Sequence, residues 1–185
     1  MRKILLINGD LATGKTTFAK FLAKRYNLPL FFKDAIKEML GETVGFSDRV
    51  ENRRLSIAAG KMLNLIFAEL DARGEGLILE SNFRGEELEE LYSMAEENDY
   101  QLMCLVLRAE LDILHARFLE RMRNENRHPV HFSRMLEDFS DFERYITELR
   151  DEKIPGSFIL VDANDFAYQS DEKLLSIIDS FFDKS

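Results

Sequence analysis

A single cysteine in the whole chain excludes a disulfide framework within it. Cys104 sits in the apolar run Leu102-Met103-Cys104-Leu105-Val106-Leu107, the setting of a buried structural thiol. No apolar run approaches the roughly 20 residues that a membrane-crossing helix needs. The basic start Met1-Arg2-Lys3 leads into a short strand-like run and then a glycine loop, so no signal peptide is expected and a cytoplasmic location follows. Repeats, linkers and low-complexity tracts are missing too, and a single domain over 1–185 is expected. The three histidines have neither the spacing nor the cysteine partners of a zinc site. Basic charge is scarce overall: the net charge of −9 disfavours long nucleic acids as partners.

The scarce positive charge is concentrated. From His115 to Arg134 there are five arginines (117, 121, 123, 127 and 134) against Glu120 and Glu125, a local +3 on a remainder of −12. Such a basic segment on an acidic chain points to one anionic ligand at one place. Arg117 and Arg121 are four apart and share a helix face, and planar guanidinium groups suit a clamp on phosphoryl oxygens.

The strongest signal is Gly9-Asp10-Leu11-Ala12-Thr13-Gly14-Lys15-Thr16, placed between the apolar run Ile4-Leu5-Leu6-Ile7 and the helical pattern that begins Thr17-Phe18-Ala19. This is strand, glycine loop and helix with the spacing G-x-x-x-x-G-K-[ST]. The glycines allow positive φ and close approach of the backbone to a phosphate. Successive N–H groups and the helix N-terminus then form an anion cradle. Gly9, Ala12, Thr13, Gly14, Lys15, Thr16 and Thr17 are therefore candidate nucleotide contacts, Lys15 for the β- and γ-phosphates and Thr16 for Mg²⁺. Asp10 places a negative charge in this cradle, so its carboxylate is expected to face away from the phosphates. Ala12 stands where glycine is frequent and should stiffen the loop.

Apolar strand-like runs at Leu30–Phe32, Leu77–Leu79, Tyr100–Leu107 and Phe158–Val161 alternate with helical patterns. The helices are expected over 35–40 (ended by Gly41), 48–73 (capped by Ser47, stopped by Gly74 and Gly76), 86–97, 110–124, 133–150 and 171–182. Alternation of this kind means an α/β fold with a parallel sheet and right-handed crossovers. Ligands then bind at the carboxyl ends of the strands, where the loop, Asp34 and Glu80 all fall. Asp34 is a candidate base for a substrate hydroxyl, with a helix N-cap as its plainer role. Glu80 is a candidate for holding a metal or orienting a substrate. Asn52, Arg53, Ser56 and Arg84 are candidate acceptor contacts, and His128 and His131 are loop residues placed to touch a substrate.

Together these residues resemble the P-loop kinases of the nucleoside-monophosphate-kinase type. The nearest likeness is the AAA-type predicted-kinase branch, which looks similar to chloramphenicol phosphotransferase and the kinase half of polynucleotide kinase. The carriers are the Gly9–Thr16 loop, Lys33-Asp34-Ala35-Ile36-Lys37, and Arg117-x-x-x-Arg121 followed by Arg127-His128-Pro129. The resemblance implies a three-layer fold with sheet order 2-3-1-4-5 and a helical lid over about 117–132. It also implies ATP and Mg²⁺ as cofactors and transfer of the γ-phosphoryl group to a hydroxyl of a small molecule or nucleotide. In that scheme Lys15, Asp34, Arg117 and Arg121 are catalytic. Asp34, Glu80, Arg53 and Arg127 face the substrate, and Arg121 and Asn164 join the nucleotide contacts. Glu80 stands where relatives often have aspartate. The alternatives are a P-loop ATPase or a nucleotide-binding regulatory module; no Asn-Lys-x-Asp guanine signature is visible.

Overall fold

The computed structural model describes residues 2–71, 76–124, 128–131 and 134–182. Strands β1 (Arg2–Gly9), β2 (Leu30–Phe32), β3 (Leu77–Glu80), β4 (Tyr100–Arg108) and β5 (Ile159–Asp162) form one sheet in the order β2-β3-β1-β4-β5. Every pairing is parallel. This is the order and direction that the sequence pattern and the resemblance imply. β1 is central and buried from Ile4 onward. Alternation along it divides the core in two. Leu5 and Ile7 pack with Phe18, Leu22, Phe142 and Ile146 on one face. Ile4 and Leu6 pack with Leu63, Phe67, Leu88 and Leu91 on the other.

The helices are α1 (Lys15–Tyr26), α2 (Lys33–Thr43), α3 (Arg49–Asp71), α4 (Glu86–Glu97), α5 (Leu111–Asn124), α6 (Phe139–Asp151) and α7 (Glu172–Phe181). Several differ from the sequence expectation, each for a physical reason. α2 starts two residues earlier and runs past Gly41. A Cβ on Gly41 would stand 2.5 Å from Val130 Cγ1, so this glycine permits close packing rather than ending the helix. The residue at the cap position of α2 is Phe32, and Asp34 lies within the first turn; Asp34 is not an N-cap. The start of α3 is held by Asp48, whose Oδ1 accepts from Glu51 N at 2.8 Å, while Ser47 donates to the Glu51 carboxylate instead. The buried stripe of α3 is Leu55, Ala59, Leu63 and Phe67, at uniform four-residue spacing. Met62 is 38% exposed, against expectation. The expected stop at Gly74 lies outside the described residues.

The pattern read as one helix over 133–150 is broken. A 3₁₀ turn (Arg134–Glu137) precedes α6, and Asp138 caps α6 by accepting from Ser140 N and Asp141 N. An Asp with free N–H groups ahead of it competes well with helix continuation, which explains the break.

One consequence of the β1 terminus is testable. Gly9 has φ +125°, and a Cβ there would lie 2.1 Å from the Leu107 carbonyl oxygen and 2.5 Å from Leu107 N. Backbone cannot yield as a side chain can. Gly9→Ala is expected to cost roughly 3 kcal/mol or more from strain and overpacking, read as a lowered melting temperature. An unchanged melting temperature would contradict the β1–β4 register.

Candidate active site

The loop between β1 and α1 is shaped by its own hydrogen bonds. Thr13 Oγ1 donates to Asp10 O at 3.0 Å, and Tyr168 OH donates to Thr13 O at 2.8 Å. Ala12 takes φ 59°, the left-handed conformation that glycine adopts at little cost. Gly14 has φ 82°, and a Cβ on it would meet Tyr168 OH at 2.6 Å and the Phe166 ring at 2.8 Å. The loop after β5 is thus packed directly on the glycine loop. The Asp10 carboxylate pairs with Arg150, Nη2 to Oδ2 at 2.6 Å.

Lys15 is buried, and its Nζ donates to Gly9 O at 3.2 Å and to Asp10 O. Burial pulls its pKa down, opposed by the carboxylates of Glu80, Asp34 and Asp10 and reinforced by Arg121. Glu80, at the end of β3, is 7% exposed. Burial pushes its pKa up and Asp34 adds to that, while Lys15, the Thr16 hydroxyl and Arg121 act against it. Thr16 Oγ1 donates to Glu80 Oε2 at 3.0 Å. These couplings bring five residues, far apart in sequence, into one electrostatic unit: Lys15, Thr16, Asp34, Glu80 and Arg121. The topology explains it, since Ile7 on β1 and Phe32 on β2 are both in register with Glu80 on β3. Asn82, two residues past β3, ties the strand ends together by donating to Gly9 O at 2.6 Å.

Thr16 and Glu80 are adjacent hard oxygen groups, which suit Mg²⁺, an ion bound through one or two protein ligands together with substrate phosphates. Among the described residues no group of three or more His, Cys, Asp or Glu side chains could hold a metal alone.

Two of the three arginines of α5, Arg117 and Arg121, were singled out from the sequence. Arg121 is the one whose charge is felt at Lys15 and Glu80. Arg117 points to the loop after β5: Nη1 donates to Ala163 O at 2.7 Å and Nη2 to Asn164 O at 2.5 Å, and its guanidinium lies 4.0 Å from the Phe166 ring centroid. Arg117 is thus engaged by the loop after β5. The Asn164 side chain accepts from Glu110 N at 2.8 Å and so anchors the approach to α5. Thr17 is exposed on α1.

Several of the other expected substrate contacts have structural partners. Asn52 Nδ2 and Lys37 Nζ donate to Val130 O at 3.0 and 3.2 Å, which docks the 128–131 segment on α2 and α3. His131 Nε2 lies 2.9 Å from Glu38 Oε1 and His128 Nε2 3.8 Å from Glu42 Oε1. These histidines hold the segment to α2. Arg53 is exposed and Ser56 half-buried on α3, and Arg84 lies over the Tyr145 ring at 5.6 Å. Arg127, and with it part of the expected lid, lies outside the described residues. Sequence reading missed Arg150, Phe166 and Tyr168. The one available signal was Asp10, a buried anion that requires a cation.

A parallel sheet of this order with this loop defines a P-loop nucleotide-binding protein. The chain belongs to the AAA domain family, which it matches over residues 5–141. A "putative kinase" from Chloroflexus aurantiacus j-10-fl is 30% identical, with a TM-score of 0.78 over 100% of this chain and 98% of that one. A gluconokinase from Sinorhizobium meliloti 1021 (16% identity, TM-score 0.59, 100% and 99% covered) shares the fold. So does a shikimate kinase from Bacteroides thetaiotaomicron (16% identity, TM-score 0.56, 98% of each chain). No curated protein matches the sequence. No helix among the described residues is long and apolar enough to cross a membrane.

Proposed function

We propose that this protein is a cytoplasmic small-molecule kinase, transferring the γ-phosphoryl group of ATP to a hydroxyl of a small molecule or nucleotide. The observation that carries the reading is the convergence of Lys15, Thr16, Glu80, Asp34 and Arg121 at the carboxyl ends of β1, β2 and β3. The kinases among the similar structures add support.

In this reading the loop N–H groups and Lys15 hold the β- and γ-phosphates, and Arg121 balances charge that develops in transfer. Lys15 exchanges its bonds to the Gly9 and Asp10 carbonyls for phosphate oxygens. Thr16, with Glu80 alongside, would hold Mg²⁺, which would supply charge neutralisation at the phosphates. Asp34, exposed at the start of α2, orients the acceptor hydroxyl and takes its proton. Arg117 and Phe166 fix the loop after β5, which carries the proposed nucleotide contact Asn164, and the arginine-rich segment over 117–132 is the proposed lid. Arg53, Arg127 and Glu80 are the proposed acceptor contacts. The acidic balance of the chain favours such an acceptor over a long polynucleotide.

The test is acceptor-dependent release of ADP across a panel of hydroxyl-bearing metabolites. Stimulation by particular acceptors supports the kinase reading, and acceptor-independent hydrolysis contradicts it. The metal site has its own test. Thr16→Ala removes one hard ligand, so it is expected to weaken MgATP binding roughly tenfold or more while binding of metal-free ATP changes little. Calorimetric titrations with and without Mg²⁺ compare the two, and equal losses would remove Thr16 from the metal site.

A further inference from the structure

Asp10 is an anion built into an anion-binding loop, and it is 1% exposed. Its main chain is fully used: its N–H donates to Leu107 O at 2.9 Å, and its carbonyl accepts from Thr13 Oγ1 and Lys15 Nζ. Among the described residues, every hydrogen bond to its carboxylate comes from Arg150. Nη2 donates to Oδ2 at 2.6 Å, and Nε lies 3.3 and 3.2 Å from Oδ1 and Oδ2. The guanidinium is fixed in turn by donating to Ala109 O at 2.6 Å, and Arg108 donates to Arg150 O at 3.3 Å. Beside the pair is a cavity of about 20 Å³, lined in part by Asn8, Arg108 and Glu152, with room for one water. Among the described residues, Asn8 Oδ1 and Glu152 Oε2 are buried there without partners. The surroundings therefore include acceptors short of donors, and a bared Asp10 carboxylate would compete with them.

We propose that Arg150 is a positioning residue for the nucleotide: it pins and neutralises the Asp10 carboxylate on one side of the glycine loop, which lets the other side accept a triphosphate. This rests on the reading of the loop as the ATP site. Without Arg150, the carboxylate would be left charged beside the loop. It would be drawn toward Lys15, where its charge is already felt, and it would repel the phosphates. Arg150 lies in the last turn of α6, the helix that follows the arginine-rich segment, so the pair also ties that part of the chain to the loop.

The experiment measures MgATP affinity by calorimetry, with a melting temperature, for four proteins: wild type, Arg150→Met, Arg150→Lys and Asp10→Asn/Arg150→Met. Methionine keeps the packed stem and removes the charge. Arg150→Met is expected to raise Kd roughly 10- to 100-fold, from repulsion between charges several ångströms apart at an effective dielectric of about 20. Arg150→Lys keeps a charge without the two-pronged geometry, and should fall between it and wild type. The double variant removes both charges, avoids an unpaired buried ion, and should recover most of the lost affinity. Should Arg150→Met fail to fold, the lysine and double variants carry the test. A double variant as weak as Arg150→Met, or a lysine variant no better than methionine, would overturn the proposal, since the loss would then not come from the bared carboxylate. A folded Arg150→Met with wild-type affinity would overturn it too. Wild-type protein that bound no ATP would instead overturn the nucleotide reading on which the proposal stands.

Discussion

Lys15→Ala is expected to abolish measurable phosphoryl transfer, a loss of roughly 10³ or more, as when a preorganised charge facing the developing transition state is removed. The expectation comes from where the ammonium sits. It is buried against the Gly9 and Asp10 carbonyls, surrounded by the charges of Glu80, Asp34 and Asp10. Burial works against its charged form, so the fold gains little from it; a site gains a great deal. The melting temperature of Lys15→Ala should therefore stay close to that of wild type while MgATP affinity drops sharply. A folded variant with near-normal turnover would remove the glycine loop from the chemistry.

Asp34→Asn separates the base from the scaffold. Asparagine keeps the size and hydrogen-bonding reach of aspartate and loses its basicity. kcat is expected to fall by roughly 10²–10⁴, the range for positioned acid–base groups. ATP affinity should change little, because the phosphates are held by the loop and Lys15. The structural alternative is weak here. Asp34 lies in the first turn of α2, past the cap position held by Phe32, so its contribution to the helix is at most about 1 kcal/mol through the helix dipole. Measuring kcat, ATP affinity and melting temperature on one sample decides the matter. Full kcat in the asparagine variant would exclude Asp34 as the base and leave Glu80 as the next candidate.

The fold was legible in the sequence wherever the physics is local or periodic. The glycine loop announces itself because its spacing lets a strand turn into a helix around a phosphate. The unbroken apolar runs of β1, β3 and β4 are what two-sided burial requires. Sheet order came through resemblance rather than periodicity, since nothing local to β2 says that it borders β3. Boundaries failed where side chains make contacts far along the chain. Gly41 reads as a helix stop in isolation and is a packing gap for Val130 in three dimensions. Asp138 breaks a convincing amphipathic pattern with two hydrogen bonds.

The candidate site was legible to the same degree. Lys15 and Thr16 were singled out by the spacing of the glycine loop, and Asp34 and Glu80 because strand ends converge in a parallel sheet. Arg117 and Arg121 share a helix face, and nothing local announced that the Arg117 guanidinium would reach the loop after β5. Arg117 finds Phe166 and two carbonyls of the loop after β5, while Arg121 acts at the lysine. The partner of Asp10 lies 140 positions away on α6, and no pattern in the sequence announces a pair at that separation. The sequence indicated only that the Asp10 carboxylate should face away from the phosphates.

The central claim is that a phosphoryl group passes from ATP to a hydroxyl acceptor at this cluster. Incubation of the protein with γ-labelled ATP and a pool of hydroxyl-bearing metabolites, followed by separation of the labelled products, addresses it directly. The account predicts label in one or a few phosphate esters with wild type, and none with Lys15→Ala or with Asp34→Asn at matched times. Label recovered only as inorganic phosphate, whatever acceptor is supplied, would contradict it.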